Sequence, residues 1–319
     1  MMNRKILHLA LVTYFLGLAV SFGQVPDRIS PEIKSIPNSL QFFVLGDWGR
    51  KGEFLASNKE VKDQESLALA MERVAEVIKP EFIISTGDNF YPAGVKSILD
   101  PRWKETFEDV YHGPNLHRRW YVVLGNHDHG GNVKAEIDYD KNKETGRWHL
   151  PSNYYSQVMT TTDGALVKFI FIDTTPLVRG ADAPQLNWLA KELADNSYDW
   201  KWVVGHHPLY SGNHRTSEQT RLKADIEQML IDNHVDVYLC GHDHNLQYLK
   251  KGKINYFISG AGSEIYKSKE VKELTQYVYC KEGVECTSAF MVFSLQKSSF
   301  VIQMIDSRGQ RVYTNTIEK

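Results

Sequence analysis

The chain has 319 residues, 42% hydrophobic and 24% charged, a globular balance with enough length to bury the core of one large α/β domain. Lys plus Arg number 37 and Asp plus Glu 39, a net charge of −2. With no basic run in the sequence, a dedicated nucleic-acid partner is not expected. No internal repeat, low-complexity stretch or linker divides the chain.

In chain order, residues 1–23 come first. Arg4 and Lys5 precede an apolar stretch from Ile6 to Phe22, and the small residues Ser21 and Gly23 sit at −3 and −1 of a cut before Gln24. That is the layout of a secretory signal peptide. An uncleaved anchor is the alternative, because the stretch is almost long enough to span a bilayer. His8, Thr13 and the small residues at its end favour cleavage, so a secreted or periplasmic protein without stable membrane insertion is expected. Residues 24–38, with Pro26, Pro31 and Pro37, read as an extended lead-in to a single catalytic domain over 39–319.

Within that domain, Leu67, Ala70, Met71, Val74, Val77 and Ile78 predict a helix over Gln64–Lys79, stopped by Pro80. A second helix is expected over Gln185–Ala194, opened by Pro184, with Leu186, Leu189 and Leu193 facing inward. A third covers about Glu218–Asn233 on a stripe of Leu222, Ile226, Met229 and Leu230. The polar stretch His129–Ser152 reads as a long irregular loop. From Lys253 onward only strand patterns remain: INYFISGAG, AFMVFSLQ, SFVIQMID and RVYTNTI. Strand–helix alternation with a strand-only end predicts two sheets packed face to face with helices outside. Cys280 and Cys286 flank Gly283 and could close a hairpin loop, whereas Cys240 lies in an apolar strand and reads as a buried free thiol.

Five apolar runs end in Gly followed by a metal-ligand residue type: FFVLGD at Asp47, FIISTGD at Asp88, YVVLGN at Asn126, WVVGH at His206 and VYLCGH at His242. Each run is short and rich in Val, Ile, Phe and Tyr, as a buried strand is. Gly permits a sharp turn at the strand end, which aims the next side chain into a crevice. Any one of these residues alone would be a turn or cap residue. Together they predict one polynuclear metal site at the carboxyl edge of a sheet. Adding Tyr91 and His244 gives seven candidate ligands, too many for one ion that keeps an open position. Carboxylate, amide, phenolate and imidazole suit iron, zinc or manganese, and two ions are accommodated if one carboxylate bridges.

The motifs GDWG (46–49), GDNFY (87–91), GNHD (125–128), GHHP (205–208) and GHDHN (241–245), in that order, closely resemble the purple acid phosphatases, above all the small tartrate-resistant mammalian type. The resemblance runs from about Leu40 to Gly262. The outer motifs alone fit the wider calcineurin-like metallophosphoesterases, and Tyr91 narrows the likeness. It implies an α/β fold, a four-layer α-β-β-α sandwich of two mixed sheets flanked by helices. It also implies a bridging Asp88, a ferric site completed by Asp47, Tyr91 and His244, and a divalent site (iron, zinc or manganese) completed by Asn126, His206 and His242. His127 and His214 would bind phosphate beside Asn126 and protonate the leaving alkoxide. His214 stands eight residues after His206, one position closer than the family pattern.

The implied activity is that of an exported acid phosphatase cleaving small phosphomonoesters at acidic pH by attack of metal-bound hydroxide, and a monomer is expected. Phosphodiesterase or nucleotide pyrophosphatase chemistry on the same two ions is the alternative, and a non-catalytic phosphate-binding or adhesion module is the rival from another class. His129 and His207 are expected beside the ligands without binding metal, Asn89 and Asn245 as hydrogen-bonding supports, and Asp173 as structural. The segment between Asp173 and Pro184 is shorter than the protease-sensitive loop of the mammalian enzymes, so activation by loop cleavage is not expected.

Overall fold

Two seven-stranded sheets organise the described residues (29–51, 63–141, 145–180, 182–212 and 216–319) of this computed structural model. The signal segment and His214 lie outside them. The first sheet contains β1 (Leu40–Leu45), β2 (Phe82–Ser85), β3 (Arg119–Val122), β4 (Trp148–His149), β12 (Ala289–Leu295), β13 (Ser299–Asp306) and β14 (Arg311–Glu318). Its order is β14-β13-β12-β1-β2-β3-β4, parallel from β1 to β4 and antiparallel beyond β1. The second contains β5 (Tyr155–Thr160), β6 (Leu166–Phe171), β7 (Trp200–Val204), β8 (Val237–Cys240), β9 (Leu246–Lys251), β10 (Ile254–Ser259) and β11 (Thr275–Val278), in the order β11-β9-β10-β8-β7-β6-β5. There β6, β7, β8 and β10 run parallel.

Side-chain alternation shows the layers. Along β6 to β8, Val167, Phe169, Phe171, Trp202, Val204, Val237 and Leu239 join the core between the sheets. Their neighbours Ile170, Val203, Tyr238 and Cys240 pack with Leu189, Leu193, Leu222 and Leu230 on the other face. Both faces are covered, so the strands read as continuous apolar runs. Between the sheets, Phe42 stacks on Phe82 and Phe293 and meets Phe169 and Trp202 edge-on at 5.5 and 5.6 Å. Truncating one such ring would cost roughly 3–5 kcal/mol. The expected four-layer α-β-β-α sandwich of two mixed sheets is the observed architecture.

The helices are α1 (Asp63–Ile78), α2 (Val133–Tyr139), α3 (Thr174–Val178), α4 (Ala183–Ala194), α5 (Thr216–Leu222) and α6 (Gln228–Asp232). Asp182 caps α4 by accepting from Gln185 N. Two readings change. The third expected helix starts at Thr216 and carries a π-helical stretch, Lys223–Glu227, between α5 and α6. Leu222, Ile226 and Leu230 are all buried along this stretch, the i, i+4, i+8 stripe of an amphipathic helix. The supposed loop His129–Ser152 holds α2 and β4, which extends the first sheet. Asn132 caps α2 by accepting from Ala135 N.

The described part of the lead-in docks on β13, where the Lys34 main chain exchanges two hydrogen bonds with the Gln303 side chain. Cys280 and Cys286 form a disulfide, and Cys240 is a buried free thiol. Among the described residues no helix is long and apolar enough to cross a membrane.

Candidate metal centre

The parallel strands of both sheets end at one edge. Asp47, Asp88 and Asn126 follow β1, β2 and β3, and His206 and His242 follow β7 and β8. Asp47, Asp88 and His242 themselves adopt left-handed backbone, with φ of 60°, 51° and 69°. Such conformations cost about 1–3 kcal/mol each and persist where packing enforces them. The preceding glycines serve mainly by having no side chain. A Cβ on Gly46 would lie 2.1 Å from Thr86 Oγ1, and one on Gly125 would lie 2.1 Å from Asp88 Oδ1. Of the five, Gly87 alone takes a left-handed φ, 92°.

The side chains converge as two quartets that share one oxygen. Tyr91 Oη lies 3.2 Å from Asp47 Oδ1, 3.1 Å from Asp88 Oδ2 and 3.3 Å from His244 Nε2. On the other side of Asp88 Oδ2, His206 Nε2 stands at 3.3 Å, and that nitrogen is 3.2 Å from Asn126 Oδ1 and 3.1 Å from His242 Nδ1. The remaining oxygens are anchored: Asp88 Oδ1 accepts from His127 N, and Asp47 Oδ2 from His242 N.

With neutral histidines this cluster has too few protons for its acceptors. His206 Nδ1 must donate to the Thr86 carbonyl, and His242 Nε2 to the Glu218 carboxylate. With both rings neutral, as metal binding needs them, the two imidazoles would present lone pairs to each other across 3.1 Å. One phenol proton likewise serves two carboxylates. A cation on either side of Asp88 Oδ2 would relieve both conflicts, so the donor set fits a pair of metal ions. The side-chain electrostatics show the surplus of negative charge that a cation would meet. Burial opposes charge on His206, but Asp88 and Asp47 outweigh it and push the imidazole up to about 9. Burial likewise works against ionised Asp88, yet His206 and His127 hold it well below the usual carboxylate range. Burial, then Asp88 and Asp47, push the Tyr91 phenol well up.

His127 sits at the rim, 34% exposed, with Nδ1 donating to Pro92 O and Nε2 4.0 Å from Asp88 Oδ2. His129 does not join the cluster; its Nε2 contacts both oxygens of buried Asp173, which also caps α3. His207 has a nitrogen within 4.8 Å of donor atoms on His206 and His242, while its Nδ1 meets Thr174 Oγ1 at 2.8 Å. Burial, with the neighbouring histidines adding, depresses its basicity strongly. Asn89 donates to Val123 O and Asp128, and Asn245 to Tyr266 O and Cys280 O.

Three supports went unread in the sequence. Asp128, the last residue of GNHD, accepts from the main chains of Gly125, Asn89 and Phe90 and so ties the Asp88 and Asn126 loops together; burial, then Asp88, push it up to about 7. The Arg50 guanidinium lies 3.6 Å over the Tyr91 ring, and its place directly after GDWG was the available signal. Glu218 meets His242 Nε2 at 2.9 Å, which no local pattern announces.

Residues 40–246 match the calcineurin-like phosphoesterase family. Human tartrate-resistant acid phosphatase type 5 is 32% identical over 305 residues, 88% of this chain and 91% of that protein. Purple acid phosphatase 17 of Arabidopsis thaliana is 32% identical over 283 residues, 82% of this chain and 79% of that protein. Among solved structures, GAP50, the anchor in the inner membrane complex of Plasmodium, superposes with a TM-score of 0.75 at 27% identity, covering 88% of this chain and 89% of that one. Purple acid phosphatase PPD1 from yellow lupin seeds shares the fold, with a TM-score of 0.63 at 14% identity over 90% of this chain and 54% of that one. The chain belongs to the calcineurin-like phosphoesterases and, within them, to the purple acid phosphatases, metal-dependent phosphoesterases with a binuclear metal centre.

Proposed function

We propose that this protein is an exported acid phosphatase that hydrolyses small phosphomonoesters at acidic pH. In this reading Asp47, Tyr91 and His244 hold a ferric ion, Asn126, His206 and His242 hold a divalent one (iron, zinc or manganese), and Asp88 bridges. The observation that carries it is the position of Asp88 Oδ2, 3.1 Å from Tyr91 Oη and 3.3 Å from His206 Nε2, which makes one oxygen common to both quartets. When bound, the ion pair supplies positive charge for the phosphoryl oxygens and acidifies the attacking water.

The chain's own residues do the rest. Asp88 keeps its shared oxygen in place because its other oxygen is tied to His127 N. His127 commits its Nδ1 proton to Pro92 O, so Nε2 is the nitrogen left to contact phosphate and protonate the departing alkoxide. His214 would add a second contact from the segment after His206. A non-catalytic anchoring role is the second reading, favoured by the likeness to GAP50; the complete set of seven donors with His127 beside them speaks against it.

Turnover of 4-nitrophenyl phosphate and bis(4-nitrophenyl) phosphate by the purified, metal-loaded chain tests the proposal. Preference for the monoester with an acid optimum is expected. Preference for the diester would replace it with the phosphodiesterase alternative, and no turnover of either would favour the anchoring role.

A further inference from the structure

We propose that Glu218 is a positioning residue for the divalent half of the centre, setting the tautomer of His242 and strengthening it as a ligand; this rests on the two-ion reading above. Glu218 stands in the first turn of α5, and its Oε2 lies 2.9 Å from His242 Nε2. An ionised carboxylate has only acceptors, so the ring proton sits on Nε2 and the Nδ1 lone pair is turned toward His206 Nε2 at 3.1 Å. The ring has little freedom to turn away, being 3% exposed, anchored through its main-chain N–H to Asp47 Oδ2 and packed 4.4 Å from the His207 ring.

The other imidazoles of the site are held differently. His206 and His127 donate Nδ1 to the neutral carbonyls of Thr86 and Pro92. His244 Nδ1 has Glu264 Oε2 only at 3.8 Å, beyond a hydrogen bond. Among these four rings, His242 is therefore the one whose outer nitrogen meets a carboxylate at hydrogen-bond distance. A charged acceptor fixes the ring and raises its basicity toward a cation on Nδ1. Glu218 itself is 37% exposed, so changing it leaves the core intact.

The test is a zinc titration of the metal-free full chain under chelator competition, for wild type, Glu218→Ala and Glu218→Gln, with thermal melting of each metal-free chain. Wild type should take two zinc ions. Glu218→Ala should weaken one site by roughly 10–100-fold and leave the other unchanged, while the metal-free chain still melts in one cooperative transition. Glu218→Gln should lie between, because an amide oxygen still accepts the Nε2 proton without the charge. Two sites of wild-type affinity in Glu218→Ala, or equal weakening of both, would overturn the positioning role. Fewer than two ions on wild type would instead overturn the binuclear reading, and this inference with it.

Discussion

The two halves of the proposed metal centre share Asp88 and differ in almost everything else. The Tyr91 half brings a second carboxylate, Asp47, and a phenol, all within the buried interior. It is roofed by the Arg50 guanidinium, 3.6 Å over the Tyr91 ring, and by Tyr266 stacked 4.5 Å from His244. The His206 half brings an amide and two imidazoles, all neutral in the form that would bind metal. Asn126 is only partly buried, and the outer nitrogen of His242 rests on a half-exposed glutamate. Hard anionic oxygens favour the more highly charged ion, while a neutral nitrogen-rich set favours a divalent one. On the proposed reading, one edge of one fold offers two unlike sites, with the divalent ion on the histidine side.

The most severe way to break this contrast is to remove what the halves share. Asp88→Ala should lose both ions together and reduce phosphatase activity to background, read by elemental analysis and turnover. Asn126→Ala should lower occupancy on the histidine side while the Tyr91 half stays filled. Retention of two ions and near-normal turnover by the Asp88 variant would remove the bridging role.

A smaller effect is expected where chemistry rather than metal is lost. His127→Ala should keep both ions and lower kcat by roughly 10²–10⁴-fold, the usual worth of a positioned acid or base. The loss should shrink for esters with good leaving groups, which need less protonation. An equal loss for phenyl phosphate and an activated nitrophenyl ester would count against proton donation.

Much of this centre was legible because its signals are local. Asp47, Asp88, Asn126, His206 and His242 each stand directly after Gly at the end of an apolar run, so one reading rule finds all five. What they lean on is not local. Glu218 reaches His242 across 24 positions of chain, and Arg50 reaches Tyr91 only because β1 and β2 are neighbours. The same limit explains α2 and β4. The buried face of α2 includes Glu136, which reads as a solvent residue, and β4 is two residues long. In the third helix, a four-residue recurrence reads as an α stripe, and nothing in it marks the π turn at Lys223–Glu227. His214 lies outside the described residues, so its role rests on the family pattern alone.

Glu136 gives the subtlest test, one of stability beneath the centre. Both carboxyl oxygens are buried without a hydrogen-bond partner, and burial, then the Asp128 and Asp88 charges, raise its pKa well above the ordinary value. A raised carboxyl stays protonated in the fold, so its stability contribution is full below the unfolded pKa of about 4.3. It is lost as pH rises from there through the folded value. Glu136→Gln removes the titration. The melting temperature of the variant relative to wild type, at equal metal content, should therefore increase with pH. A difference independent of pH would contradict the assignment.

The contrast between the halves is tested most directly by metal content and visible spectrum measured together on purified wild type and Tyr91→Phe. A phenolate on a ferric ion absorbs visible light, so wild type should hold two ions, one of them iron, and be pink to purple. Tyr91→Phe should bleach that colour while the remaining donors keep the histidine-side ion. A colourless wild type carrying two divalent ions, or a colour that survives Tyr91→Phe, would contradict a ferric–tyrosinate half and with it the division of the centre into two unlike sites.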